Sequence, residues 1–193
     1  MRVASISLGF LNGGKWHGFP GWIVRVVEPD NPAAHGEVLE SDEIVDECRS
    51  MPDSPVEITG AEPLAYGALA NTCNELLLHG HRVRVVTGGA ISVSRLPEGV
   101  LRRVVWTKPR SNLESSALPS EQVLLELVDD DEMVFVIESR ASFEYAKQRI
   151  RHHRLTRKVQ VEMIPEGAVT SEHLGGWILE TGLPIRLGMS GVV

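Results

Sequence analysis

Cysteine is nearly missing from this sequence: Cys48 and Cys73 are the only two in 193 residues. Two thiols cannot build a disulfide framework or a four-cysteine zinc site. Aromatics are scarce too, at 5%, so Val, Leu, Ile and Ala must fill most of the core. No apolar run approaches the roughly 20 residues that a membrane helix needs, and the opening residues have no signal-peptide h-region. Positive charge is in deficit. The 19 Lys and Arg stand against 26 Asp and Glu, a net charge of −7, which argues against a general nucleic-acid or membrane-surface binder. Neither a Gly-x-Ser-x-Gly elbow nor a Walker A lysine motif is present, so nucleophilic hydrolysis and phosphate-loop chemistry have no support. What is present is ordinary globular composition, 42% hydrophobic and 23% charged, expected to form one cytoplasmic domain over residues 1–193.

Short β-branched runs recur between longer amphipathic stretches. Trp22–Val27, Pro55–Thr59, Arg82–Thr87, Arg103–Thr107, Met133–Ile137, Val159–Ile164 and Ile185–Met189 read as strands. Helices are expected from Ser41 as cap, over Leu64–His79, Ser120–Val128 and Ser142–His153, and over Ser171–Thr181 with Gly182 as the stop. The alternation implies βα units and a mainly parallel sheet. A complete eight-fold barrel takes about 250 residues, so the fold class expected is α/β, as a partial (incomplete) parallel βα barrel. Ligands in such folds bind at the carboxyl ends of the strands. The loops 28–40, 60–66, 88–92 and 108–117 are of that kind.

Thr59-Gly60-Ala61-Glu62-Pro63-Leu64 follows a strand and opens a helix, with small residues that let backbone approach a ligand and a carboxylate at the rim. It resembles the Gly-Gly-Glu-Pro segment of radical S-adenosylmethionine enzymes, where that segment contacts the cofactor's amino group. The surrounding order narrows the likeness. Gly14-x-x-x-Gly18-x-Pro20, Val24-Arg25 on a strand, the turn itself, Val86-Thr87-Gly88-Gly89, Thr107-Lys108-Pro109 and Gly182–Leu187 succeed one another. Together they resemble the 7-carboxy-7-deazaguanine synthase family, which contracts a tetrahydropterin into a deazaguanine for queuosine and preQ0. The resemblance implies the radical S-adenosylmethionine type of partial barrel and a homodimer. It also implies cofactor-side positions at Thr59, Gly60, Ala61, Glu62, Pro63, Thr87, Gly88 and Lys108, and substrate-side positions at Gly14 and Arg25.

The departures remove the chemistry. The family carries Cys-x-x-x-Cys-x-x-Cys after the Val-Arg strand, three thiolates that hold a [4Fe–4S] cluster. Here those places fall on Pro29, Ala33 and Gly36, none of which ligates iron. The family's Gln-Gly-Glu-Gly becomes Leu11-Asn12-Gly13-Gly14, and the Asp-Thr pair serving its magnesium becomes Glu37-Val38. Its closing Gln-x-His-Lys becomes Ser190–Val193, and its Asn-Gly becomes Gly88-Gly89. No catalytic residue and no metal ligand is left by this reading. The expectation is a cluster-less, non-catalytic binding or regulatory protein with no cofactor beyond weak S-adenosylmethionine binding. Two alternatives are an active enzyme of 7-deazaguanine biosynthesis with ligands supplied otherwise, and an interaction subunit with a protein partner.

Five other clusters have simpler explanations. Asp30, His35 and Glu37 suit a divalent metal in type but share no fixed spacing, so a solvated loop is expected. His79-Gly80-His81 reads as a helix end, and Asp129–Glu132 as an acidic surface turn. Arg149, Arg151, His152, His153, Arg154, Arg157 and Lys158 form the basic cluster of an acidic chain, expected to be a solvated helix face, with a phosphate or nucleic-acid contact as the alternative. Trp16, Phe19 and Trp22 are expected to lid the core, with an interface between copies as the alternative.

Overall fold

The β-branched runs do become strands. A computed structural model describes residues 1–29, 35–106 and 119–189, which fall into two compact units. The first comprises Met1–Asn12, Trp16–Thr87 and Ile91–Arg102; the second comprises Gly13–Lys15, Gly88–Ala90 and the chain from Arg103 onward.

The first unit contains β1 (Arg2–Phe10), β2 (Pro20–Val26), β3 (Glu37–Val38), α1 (Ser41–Cys48), β4 (Val56–Gly60), α2 (Leu69–Leu78) and β5 (Val83–Thr87). Its strand order is β3-β1-β2-β4-β5. β1 runs antiparallel to β2 and β3, whereas β2, β4 and β5 are parallel, with Arg25 beside Thr59 and Glu57 beside Arg84. Val24, Val26, Ile58 and Val85 of the sheet are buried, as are Ile44, Val45 and Cys48 of α1 and Leu69, Cys73 and Leu76 of α2.

The second unit takes most of β6 (Leu101–Trp106), then α3 (Glu121–Glu126), β7 (Glu132–Ile137), α4 (Arg140–His152), β8 (Gln160–Pro165), α5 (Ser171–Thr181) and β9 (Arg186–Leu187). Strands β6-β7-β8-β9 lie in chain order, each pair parallel. Every residue of β7 is buried, as a strand covered on both faces must be. The α/β class is therefore the one expected, with mostly parallel strands of the partial-barrel type. Among the described residues no helix is long and apolar enough to cross a membrane.

Several local expectations are corrected. β1, the longest strand at nine residues, went unforeseen because its Ala, Ser and Gly positions carry little apolar signal. Helix α1 is capped by Glu40, whose side chain forms a reciprocal box with Glu43, so Ser41 is its first residue. The helix foreseen from Leu64 begins only at Leu69. Pro63–Ala65 is a short 3-10 turn, and Tyr66 is extended, its hydroxyl donating to the Val27 carbonyl at 2.7 Å. Helix α4 starts at Arg140, capped by Ser139, with Ser142 as the partner in that box. The acidic stretch 129–132 is not all surface, since Asp131 and Glu132 are buried. His81 is also buried, its Nδ1 at 2.9 Å from the Ser54 carbonyl. Trp16 and Trp22 are buried as foreseen, but Phe19 stays half exposed.

Candidate functional site

The turn after β4 is built by its glycine. Gly60 has φ +121°, and a Cβ there would lie 2.0 Å from the Val26 carbonyl oxygen. Only glycine allows that approach. The Ala61 amide then donates to the same oxygen at 3.1 Å. The positive φ of the turn falls on Gly60 and not on Ala61, so the methyl of Ala61 does not strain the turn.

Glu62 follows in extended conformation and caps the 3-10 turn, accepting from the Leu64 amide at 3.1 Å. The Thr87 hydroxyl, at the end of β5, lies 2.8 Å from both carboxylate oxygens. Pro63 is buried at the first position of the turn, where its missing N–H costs nothing. The structure thus brings together Thr59, Gly60, Ala61, Glu62, Pro63 and Thr87 around one braced carboxylate. Arg25, one strand over and in register with Thr59, is exposed, and no ion-pair partner for it occurs among the described residues. An anion on the turn after β4 and an exposed cation on the neighbouring β2 suit a zwitterionic small molecule.

The remaining expected positions are elsewhere. Gly14 belongs to the second unit, where its amide donates to Glu162 Oε2 at 3.1 Å. Gly88 is half-buried in that unit too. Lys108, Asp30, Ala33 and Ser190–Val193 lie outside the described residues. His35, Gly36 and Glu37 are exposed. Among the described residues no group of three His, Cys, Asp or Glu side chains could hold a metal ion.

The two thiols are far from suited to iron. Cys48 in α1 and Cys73 in α2 are each fully buried. Burial pushes both thiols up to about 12, helped at Cys48 by the Glu47 carboxylate. Thiolates are what ligate iron, and Pro29, Ala33 and Gly36, at the family's cluster positions in the sequence, supply none. The residues present do not fit a [4Fe–4S] cluster.

Sequence reasoning missed the charges inside the strands. In the first unit Arg84, fully buried on β5, pairs with Glu57 on β4, Nε to Oε2 at 2.8 Å. Its Nη2 also donates to the Asn12 carbonyl at 2.9 Å. In the second unit Arg103 on β6 donates to Glu132 on β7 at 2.7 Å and to Glu162 on β8 at 2.9 Å, all three side chains buried. The signal was charge within the first three residues of a largely apolar strand, a place where an unpaired charge is not tolerated.

No protein-family model matches the chain. Curated relatives do match. The 7-carboxy-7-deazaguanine synthase of Koribacter versatilis is 31% identical over 170 residues, covering 80% of this chain and 74% of that protein. The chain belongs to the 7-carboxy-7-deazaguanine synthase family. The 7-carboxy-7-deazaguanine synthase of Chlorobaculum tepidum is 27% identical over 159 residues, 79% of this chain and 70% of its own. The crystal structure of QueE from Escherichia coli has a TM-score of 0.74 at 17% identity, covering 98% of this chain and 93% of that one. Streptococcus suis SuiB bound to S-adenosylmethionine gives 0.59 at 10% identity, over 82% of this chain and 45% of that one. These last two are likenesses of fold. Within the 7-carboxy-7-deazaguanine synthase family, then, this chain has the parallel-strand scaffold and the Gly60–Pro63 turn but lacks the three cluster cysteines.

Proposed function

We propose that this member of the 7-carboxy-7-deazaguanine synthase family is a non-catalytic binding or regulatory protein. One observation carries the reading: the chain has two cysteines, both buried in helices and neither at the family's cluster positions 29, 33 and 36, so three thiolates are not offered to an iron–sulfur cluster. Radical cleavage of the cofactor has no electron source without one. Anaerobic reconstitution with iron and sulfide tests this directly. The expected result is iron far below stoichiometry, and four irons per chain with the matching absorbance would overturn it and restore the active enzyme.

The ligand of such a protein is a small zwitterion held between Glu62 and Arg25. S-adenosylmethionine meets that description, but with no iron to anchor its amino and carboxylate groups its affinity falls to about millimolar, roughly −4 kcal/mol. Calorimetry on the purified chain decides the point. Micromolar binding that disappears in Glu62→Ala would mean a working cofactor site. A homodimer is the assembly in keeping with this reading, supported by the exposed Leu8 and Phe10 of β1 and Phe19 just before β2. Sedimentation at high concentration checks it, and a monomeric mass would count against it.

A further inference from the structure

The charge of this chain is unevenly placed. Tyr145–Val161 holds six of the 19 Lys and Arg and none of the 26 Asp and Glu, leaving 13 cations against 26 anions elsewhere. A helix C-terminus gains from one or two cations in its last turn, and α4 has Arg149, Arg151 and His152 there. Its basic run continues beyond that need.

The backbone past α4 keeps the cations together. Arg154 adopts a left-handed conformation, φ 52°, and its amide donates to the Arg151 carbonyl at 3.2 Å. The Arg157 amide donates in turn to the Arg154 carbonyl at 3.0 Å. Two consecutive tight turns thus space three exposed arginines at three-residue intervals. Leu155 and Val159, both buried, pin the segment to the core. Arg149 is spent on Glu121 at 3.4 Å, and Lys158 reaches the Leu124 carbonyl at 3.5 Å. For Arg151, Arg154 and Arg157 no carboxylate partner occurs among the described residues.

We propose that Arg151, Arg154 and Arg157, with the exposed His152 and Gln148 beside them, bind the phosphate backbone of a nucleic acid. Guanidinium forks match phosphate oxygens in pairs. No large apolar side chain is exposed between Arg149 and Lys158. A protein partner would want an apolar centre with charge at the rim, whereas nucleic-acid interfaces are polar and positive. The acidic remainder of the chain does not forbid the contact, because a Debye length of about 8 Å at physiological salt screens charges farther off. This inference is independent of the ligand reading above.

The test is fluorescence anisotropy of a labelled 20-nucleotide single-stranded RNA titrated with the full chain between 50 and 200 mM salt. The comparison is the triple variant Arg151→Gln, Arg154→Asn, Arg157→Gln, in which asparagine tolerates the left-handed position. All three sites are exposed, and an unchanged melting temperature verifies the fold. Binding by the parent chain should weaken steeply with salt. The variant should bind at least tenfold more weakly at 50 mM, with a log–log salt slope smaller by about 2, from roughly 0.7 per phosphate contact. Absence of binding by the parent chain at 50 mM, an unaltered variant, or equal competition by polyglutamate would each overturn the proposal.

Discussion

Two regions of the molecule use carboxylates in opposite ways. In the second unit, Glu132 and Glu162 share one arginine and also accept from backbone: Lys15 donates to Glu132 at 2.7 Å and Gly14 to Glu162 at 3.1 Å. The segment that supplies those amides is itself shaped for the job. Gly13 and Gly14 both take positive φ, and a Cβ on either would lie 2.1 Å from Arg103 or Glu132 atoms. Charge there is consumed entirely by the scaffold. In the first unit, Glu62 accepts from a neutral hydroxyl and a backbone amide. The first arrangement ties three strands and a glycine turn together, and the second shapes the turn after β4. A carboxylate's partners, more than its burial, separate the two roles.

The largest break in that comparison is Arg103→Ala. Two buried carboxylates lose their shared counter-charge, which costs about 3–5 kcal/mol and is read as a fall in the urea midpoint. Replacing Arg103, Glu132 and Glu162 together by Met and Leu should recover most of that loss but not all, since the Gly14 and Lys15 amides would then lack acceptors at about 1–3 kcal/mol each. Next in size is Gly60→Ala. Its backbone strain alone is worth about 1–3 kcal/mol, and the Val26 carbonyl blocks the new methyl; Ala61→Gly, measured the same way, should cost under about 1 kcal/mol. Smaller still is Glu62→Gln, which keeps an acceptor for Leu64 and should cost about 1 kcal/mol while abolishing any binding of a cationic ligand.

The smallest effect concerns acid. Burial, then the neighbouring Arg149 and His152, holds the His153 imidazole below its ordinary range. A histidine with a depressed native pKa is protonated more readily in the unfolded chain, so its contribution is neutral above about pH 6.5 and destabilising as pH falls below it. His153→Gln should flatten the acid side of the melting-temperature profile slightly. A profile identical to the parent's would show that the imidazole carries no such linkage.

The sequence made much of this legible, and the misses have a common cause. Helix α5 was readable to the residue because Ser171, the apolar spacing and Gly182 agree, and Gly182 does close it in the left-handed conformation. The turn at Gly60–Pro63 was readable because its residue types are demanded by its shape. Helix α2 was misplaced because Tyr66 is held extended by hydrogen bonds to the Val27 and Arg2 carbonyls, partners remote in sequence. Glu132 was read as surface for the same reason: its neighbours Asp129 and Asp130 are exposed, while its partner Arg103 comes from another strand. Local pattern reports local preference, and long-range pairing overrides it.

The burial of Cys48 and Cys73 has a consequence for how the protein meets oxidants. Peroxide attacks thiolates, and sulfenic acid forms where a thiolate is exposed. Here both sulfurs are buried, and burial pushes both thiols up to about 12, far from the thiolate form at neutral pH. Aerobic handling should leave the folded chain's thiols unmodified, with both reactive toward alkylating reagents once the chain is unfolded. A protein of this kind keeps its binding surfaces through oxidative conditions that would strip an exposed iron–sulfur centre.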